Sequence, residues 1–173
     1  AATIQSAPVA FDAADLDGDG DADIVVAEEF GNRVLRIDSL PGGTFAPPVT
    51  VTPGGVNVTA THTLVFADID QDGFLDLLRS GRFDTRWARG VGDGTFEPGH
   101  AVSGLASQGD RRTLMVTDVD GDSRPDVLLS ALGSGSNGDN ISWARNLGMG
   151  AFGPGGSFLP ERQRVTDVLA VDI

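Results

Sequence analysis

Nine residues, Asp15-Leu16-Asp17-Gly18-Asp19-Gly20-Asp21-Ala22-Asp23, constrain this chain more than any other stretch. They hold five carboxylates and run straight into Ile24-Val25-Val26. So many like charges on one turn repel unless a cation sits among them. Ca²⁺, a hard ion taking about six to eight oxygen ligands in a flexible shell, suits the set. The arrangement recurs as Asp68-Ile69-Asp70-Gln71-Asp72-Gly73-Phe74-Leu75-Asp76 before Leu77-Leu78. It recurs again as Asp118-Val119-Asp120-Gly121-Asp122-Ser123-Arg124-Pro125-Asp126 before Val127-Leu128-Leu129. A fourth copy starts at Asp172-Ile173. Numbered from one to nine, each loop has aspartates at positions 1, 3, 5 and 9 and a backbone carbonyl on offer at position 7, from Asp21, Phe74 or Arg124. Gly20 and Gly73 at position 6 permit a sharp bend. The third loop has Ser123 there, with Arg124 and Pro125 beside it, and is expected to hold an ion most weakly. An EF-hand is excluded: its loop closes with Glu at position 12, where this chain has Val26, Arg79 and Leu129.

The first loop aspartates stand 53, 50 and 54 residues apart. A repeat near that length, rich in β-branched residues and Gly, predicts propeller blades. Four strands can be placed in each repeat. An apolar segment enters each loop: 9–14, then Leu64-Val65-Phe66-Ala67, then Leu114-Met115-Val116-Thr117. A second strand leaves the loop, so that the aspartates form the turn of a hairpin. A third strand is expected at 33–37, 85–89 and 141–145. Each leads to a Gly-rich turn and a Phe (Phe45, Phe96, Phe152), and a fourth, outer strand begins near Pro47, Pro98 or Pro154. The fold class is therefore all-β: a β-propeller of four-stranded antiparallel blades, three of them and the start of a fourth in this chain. The repeats are approximately 7–60, 61–110 and 111–164, with a partial repeat over 165–173 in the same propeller segment. The stretch 133–140 is expected to be an exposed flexible loop. Three blades do not close a ring. The expectation is that the chain is a segment of a longer one or that copies associate.

The net charge of −13 is concentrated in the loops, which hold 13 of the 25 acidic residues. Three bound Ca²⁺ per chain would bring it to −7. A nucleic-acid partner is excluded, because a phosphate backbone needs a basic face. There is no cysteine, hence no disulfide and no thiolate metal site. No apolar run reaches the roughly 20 residues of a membrane span.

These residues resemble the FG-GAP and VCBS-like repeats, the calcium-loop blades of integrin α-subunit propellers and of many secreted proteins. The resemblance rests on the DxDxDG…D loops and on the Trp-to-Gly-x-Gly-x-Phe segments, such as 143–152. It implies a propeller of roughly seven blades in the parent molecule and a structural role for calcium. It implies as ligands Asp15, Asp17, Asp19, Asp23, Asp68, Asp70, Asp72, Asp76, Asp118, Asp120, Asp122 and Asp126. Sites of this kind fill easily at the high calcium levels outside cells, so a secreted or cell-surface location is expected. The first repeat departs from the others in carrying Arg36 where they carry Trp.

The function expected is a calcium-binding extracellular scaffold for adhesion or for recognition of a glycan or protein. The alternatives are a non-catalytic propeller part of a secreted polysaccharide-active enzyme and a structural repeat of a surface filament. Trp87 and Trp143 are candidates for stacking on sugar rings, against the plainer account that they pack between blades. His62 and Arg112, each six residues before a first loop aspartate, are candidates for a ligand rim. No catalytic residue is expected: GxSxG, HExxH and P-loop patterns are absent, and the paired carboxylates are assigned to the metal.

Overall fold

The computed structural model describes residue 4 and residues 7–28, 33–53, 61–81, 84–105, 110–132 and 140–158. The expected flexible loop falls almost wholly outside these residues, and the partial fourth repeat entirely so.

Three four-stranded antiparallel sheets form in chain order. The first is β1 (Pro8–Ala14), β2 (Asp23–Glu28), β3 (Arg33–Ile37) and β6 (Val49–Thr50), with a small extra hairpin, β4 (Ser39–Leu40) and β5 (Thr44–Phe45), between its third and fourth strands. The second is β7 (Thr61–Ala67), β8 (Asp76–Gly81), β9 (Thr85–Ala88) and β10 (His100–Ala101). The third is β11 (Asp110–Thr117), β12 (Asp126–Leu132), β13 (Asn140–Gly148) and β14 (Ala151–Ser157). The entry strands β1, β7 and β11 lie next to one another, and the fourth strand is the edge of each sheet. Pro154 sits in β14, the edge position where a missing N–H costs no ladder bond. These are three blades of a β-propeller, and no helix occurs among the described residues.

The core lies between the sheets, and the two-residue period of a strand explains why. Leu77 and Leu78 are neighbours on β8 and point to opposite faces. Leu77 and Ala88 pack against Ala10, Val25, Ala27 and Val34 of the first sheet. Leu78 and Trp87 pack against Leu114, Val127, Leu129 and Ala144 of the third. Each fully buried aliphatic side chain contributes about 1.5–3 kcal/mol. Equivalent positions show what an unpaired face looks like. Leu64 and Leu114, each four residues before a first loop aspartate, are buried. Phe11, at the same place in the first repeat, is 77% exposed.

Candidate functional site

Each hairpin loop folds around its own aspartates. The position-1 carboxylate is the hub. Asp15 accepts from the N–H groups of Gly18 and Gly20 at 2.8 and 3.0 Å. Asp68 accepts from Asp72 and Gly73 at 3.0 and 2.9 Å. Asp118 accepts from Gly121, Asp122 and Ser123 at 2.8, 3.1 and 2.8 Å. The chain needs two left-handed residues to make this path. They are Gly18 and Gly20 in loop 1, Gln71 and Gly73 in loop 2, and Gly121 and Ser123 in loop 3. Ser123 thus adopts the bend that Gly makes elsewhere, with φ of 66°. Gln71 shows that position 4 bends as well, a requirement the sequence reading did not identify.

The position-9 aspartates play a different part. Asp23, Asp76 and Asp126 are buried, and each ties the loop to the third strand of its sheet or to the residues just past it. Asp76 accepts from Ile69 N–H at 2.9 Å and from Gly90 N–H at 2.8 Å. Asp126 accepts from Val119 at 3.0 Å and from Asn146 at 2.8 Å. Asp23 accepts from Leu16 and Ser39 at 3.4 and 3.1 Å. Burial pushes the Asp76 carboxyl up to about 6, with Asp70 and Asp72 adding to the rise and the two N–H donors opposing it. Burial raises Asp23 in the same direction.

The donor set suits a divalent ion. Oxygens that share an ion at about 2.3–2.6 Å lie no more than about 5 Å apart. One oxygen each from Asp15, Asp17 and Asp19 falls within 4.8 Å of the others, as do those of Asp68, Asp70 and Asp76 and those of Asp118, Asp120 and Asp122.

The loops differ in their cations. Arg89 pairs with Asp70 at 2.8 Å and with Asp72. Arg145 pairs with Asp120 at 2.5 Å and with Asp122 at 3.2 Å, and Arg124 also pairs with Asp122. Burial pushes the Asp122 carboxyl up, but the Arg124 N–H and the two guanidinium groups outweigh it and hold the group below its ordinary range. No arginine pairs with a loop-1 aspartate among the described residues.

Neighbouring sheets interlock at the middle of the third strand. Strand register makes Arg36, Trp87 and Trp143 equivalent, since they pair with Val25, Leu78 and Leu128, each two residues past a position-9 aspartate. Arg36 reaches the glycine turn of the second sheet, donating to Asp93 O at 2.7 Å. A Cβ on Gly94 would lie 1.2 Å from its Nη1. Trp87 does the same to the third sheet, where a Cβ on Gly150 would lie 1.9 Å from Cζ2. Trp143 stacks within its own sheet, on Phe158 at 6.4 Å.

Beside Trp87 a cleft of about 370 Å³ opens between the second and third sheets. Asp70, Trp87, Arg89, Glu97 and His100 line it from one side and Met149, Gly150 and Ala151 from the other. Trp87 is 5% exposed, with His100 and Phe152 rings at 6.1 and 6.5 Å. Its indole N–H has no hydrogen-bond partner among the described residues. Met149, 94% exposed, stands on the rim with φ of 54°. Of the four candidate ligand residues the cleft takes in Trp87 only. Trp143 and His62 lie elsewhere, His62 at the irregular start of β7, and the side chain of Arg112 is outside the described residues. Arg89, Glu97 and His100 were not singled out in the sequence, although Ala-Arg after each Trp (88–89 and 144–145) was a visible signal.

Comparison with known proteins follows the same lines. Residues 15–79 match the family model described as an FG-GAP-like repeat. A structure of an Agrocybe aegerita lectin, described as recognising non-reducing terminal N-acetylglucosamine, superposes with a TM-score of 0.58 at 29% identity. The match covers 85% of this chain and 37% of the lectin. The Photorhabdus luminescens Tc holotoxin pore matches at a TM-score of 0.51 and 19% identity, over 87% of this chain and 7% of that one, a likeness of fold alone. No curated protein sequence matches the chain. No helix among the described residues is long and apolar enough to cross a membrane.

Proposed function

Taking residues 15–79 as an FG-GAP-like repeat, we propose that this chain is a calcium-stabilised, glycan-binding part of an extracellular β-propeller. The inter-sheet cleft carries the reading. Ligand sites combine an apolar wall with a few convergent polar groups. Here Trp87 supplies the aromatic wall, and Arg89, Glu97 and His100 supply donors and acceptors suited to sugar hydroxyls. An unsatisfied buried donor costs about 1–3 kcal/mol, and a sugar oxygen entering beside Trp87 is one way to recover it. The likeness to a lectin of stated N-acetylglucosamine specificity supports the same class of ligand.

Calcium at Asp15, Asp17 and Asp19, at Asp68, Asp70 and Asp76 and at Asp118, Asp120 and Asp122 has a structural role, holding each hairpin turn at the end of its sheet. The position-7 carbonyls of Asp21, Phe74 and Arg124 complete the shell. The role is binding and not catalysis, since the loop carboxylates serve the metal, Asp70 among them although it also pairs with Arg89. The remaining blades come from a longer chain or from further copies, which would cover Phe11.

A glycan array probed with and without calcium tests this. Binding to glycans ending in N-acetylglucosamine, weakened by His100→Ala and by Glu97→Gln, is expected. An array with no glycan bound in either condition would refute the recognition reading. Calcium-dependent polysaccharide cleavage lost on His62→Ala would replace it with an enzymatic one.

A further inference from the structure

Loop 2 is furnished with a cation of its own. Arg89 stands just past β9, on the position that Asp38 fills in the first sheet and Arg145 in the third. Its Nε donates to Asp70 Oδ2 at 2.8 Å and its Nη2 to Asp72 Oδ2. Its Nη1 lies 3.5 Å from Glu97 Oε1. The same guanidinium lines the cleft beside Trp87 and His100. Asp70 does so too, so one carboxylate belongs to both the loop and the cleft.

These two duties compete. A carboxylate has lone pairs enough for a guanidinium and a divalent ion together, but two cations brought that close repel. Arginine presents five donors in a rigid fork. With Nε on Asp70 and Nη2 on Asp72, two of the five are turned from the cleft to the loop. Turned away from the loop, those two donors also become available to Glu97, already 3.5 Å from Nη1, and to any hydroxyl or carboxylate of a bound molecule.

We propose that Arg89 is a tethered counter-ion of loop 2, displaced toward Glu97 when the loop takes calcium, so that filling of loop 2 sets the hydrogen-bonding capacity of the inter-sheet cleft. This rests on reading the loops as calcium sites and the cleft as a glycan site. Calcium then promotes sugar binding without touching the sugar. By linkage, sugar tightens calcium at loop 2 by the same factor. Arg145 on Asp120 and Asp122 places the same clasp on loop 3. Loop 1, with Asp38 in that position, fills without competition.

The test is calorimetric titration of calcium into the intact chain, beside Arg89→Gln and Arg145→Gln, with the indole resonance of Trp87 and the ring resonances of His100 followed by NMR. Removing the competing charge is expected to tighten one weak class of site by roughly tenfold, a different class for each variant. Calcium is expected to move the Trp87 and His100 resonances of the unaltered chain, and to move them much less in Arg89→Gln. Calcium isotherms unchanged by Arg89→Gln, or resonances in the unaltered chain that calcium leaves in place, would overturn the clasp. A chain that takes up no calcium overturns both this inference and the calcium part of the function. Tightened isotherms and moving resonances in a chain that no glycan binds uphold the clasp and remove only the glycan reading.

Discussion

Asn146 joins loops 2 and 3 across a sheet boundary, and its removal can be worked through atom by atom. The residue is fully buried. Its Nδ2 donates to Ile69 O of loop 2 at 2.8 Å and to Pro125 O of loop 3 at 3.0 Å. Its Oδ1 accepts from Gly148 N–H at 2.9 Å. Asn146→Ala strands all three partners. Ile69 is buried, so its carbonyl bears the full penalty of about 1–3 kcal/mol. Pro125 and Gly148 are half-buried and can turn to water, so each loses about 0.5–1 kcal/mol, the net worth of an ordinary hydrogen bond. The total is about 3 kcal/mol. At roughly 2–4 °C per kcal/mol for a chain of this size, the melting temperature falls by about 6–12 °C. Urea unfolding at fixed calcium measures the cost, and calcium calorimetry shows whether loop 2, which owns Ile69, weakens with it. A loss below about 1 kcal/mol with calcium binding unchanged would show that Asn146 only fills space.

Other outcomes follow from the same geometry. Gly150→Val forces a branched side chain into the ring of Trp87 at a φ of +70°. It is expected to cost about 2–4 kcal/mol and to shift tryptophan emission to the red; unaltered emission and stability would refute the interlock. The Asp76 carboxyl, at about 6 when folded and 3.8 when free, binds its proton more tightly in the folded state. In calcium-free buffer its contribution is present below pH 4 and lost as pH rises through 6, about 3 kcal/mol in all. The unaltered chain should therefore lose stability relative to Asp76→Asn across that window, and a flat difference would refute the assignment. Calcium should raise the melting temperature, each site adding about 2.7 kcal/mol at a hundredfold excess over its Kd; differential scanning calorimetry with and without chelator checks it. Phe11→Ser, at an exposed position, should convert associated chains to monomers in sedimentation runs, and an unchanged distribution would show that this face is not a seam between copies.

The parts of the molecule readable in the sequence are the local ones. Each loop joins residues within nine positions of each other, and the hairpin around it within about twenty, so the spacing of Asp68, Asp70, Asp72 and Asp76 already contains their geometry. The third strand of the first sheet runs over the expected residues, 33–37. That of the second stops one residue short of expectation, at Ala88, and leaves Arg89 beside loop 2. The equivalence of Arg36 with Trp87 and Trp143 was legible from repeat alignment and reappears in the strand register. What escaped was the partner each residue would meet. Arg36 and Asp93 are 57 residues apart and Asn146 and Ile69 are 77 apart, and no period in the chain encodes those pairs.

By itself, then, the sequence determined the repeat, the four strands, the turn chemistry and a donor set that wants a hard divalent ion. Each depends on alternation and on short-range hydrogen bonds between near neighbours. Only the tertiary structure decided that Trp87 would enter the turn of the next sheet and leave a cleft beside it, that Arg89 would face Asp70 and Asp72, and that Asn146 would reach across to loop 2. Those outcomes depend on the angle and spacing at which one sheet packs on the next. That packing is set by the volumes of buried side chains such as Leu78, Leu114 and Val127 acting together, and no single stretch of chain holds that information.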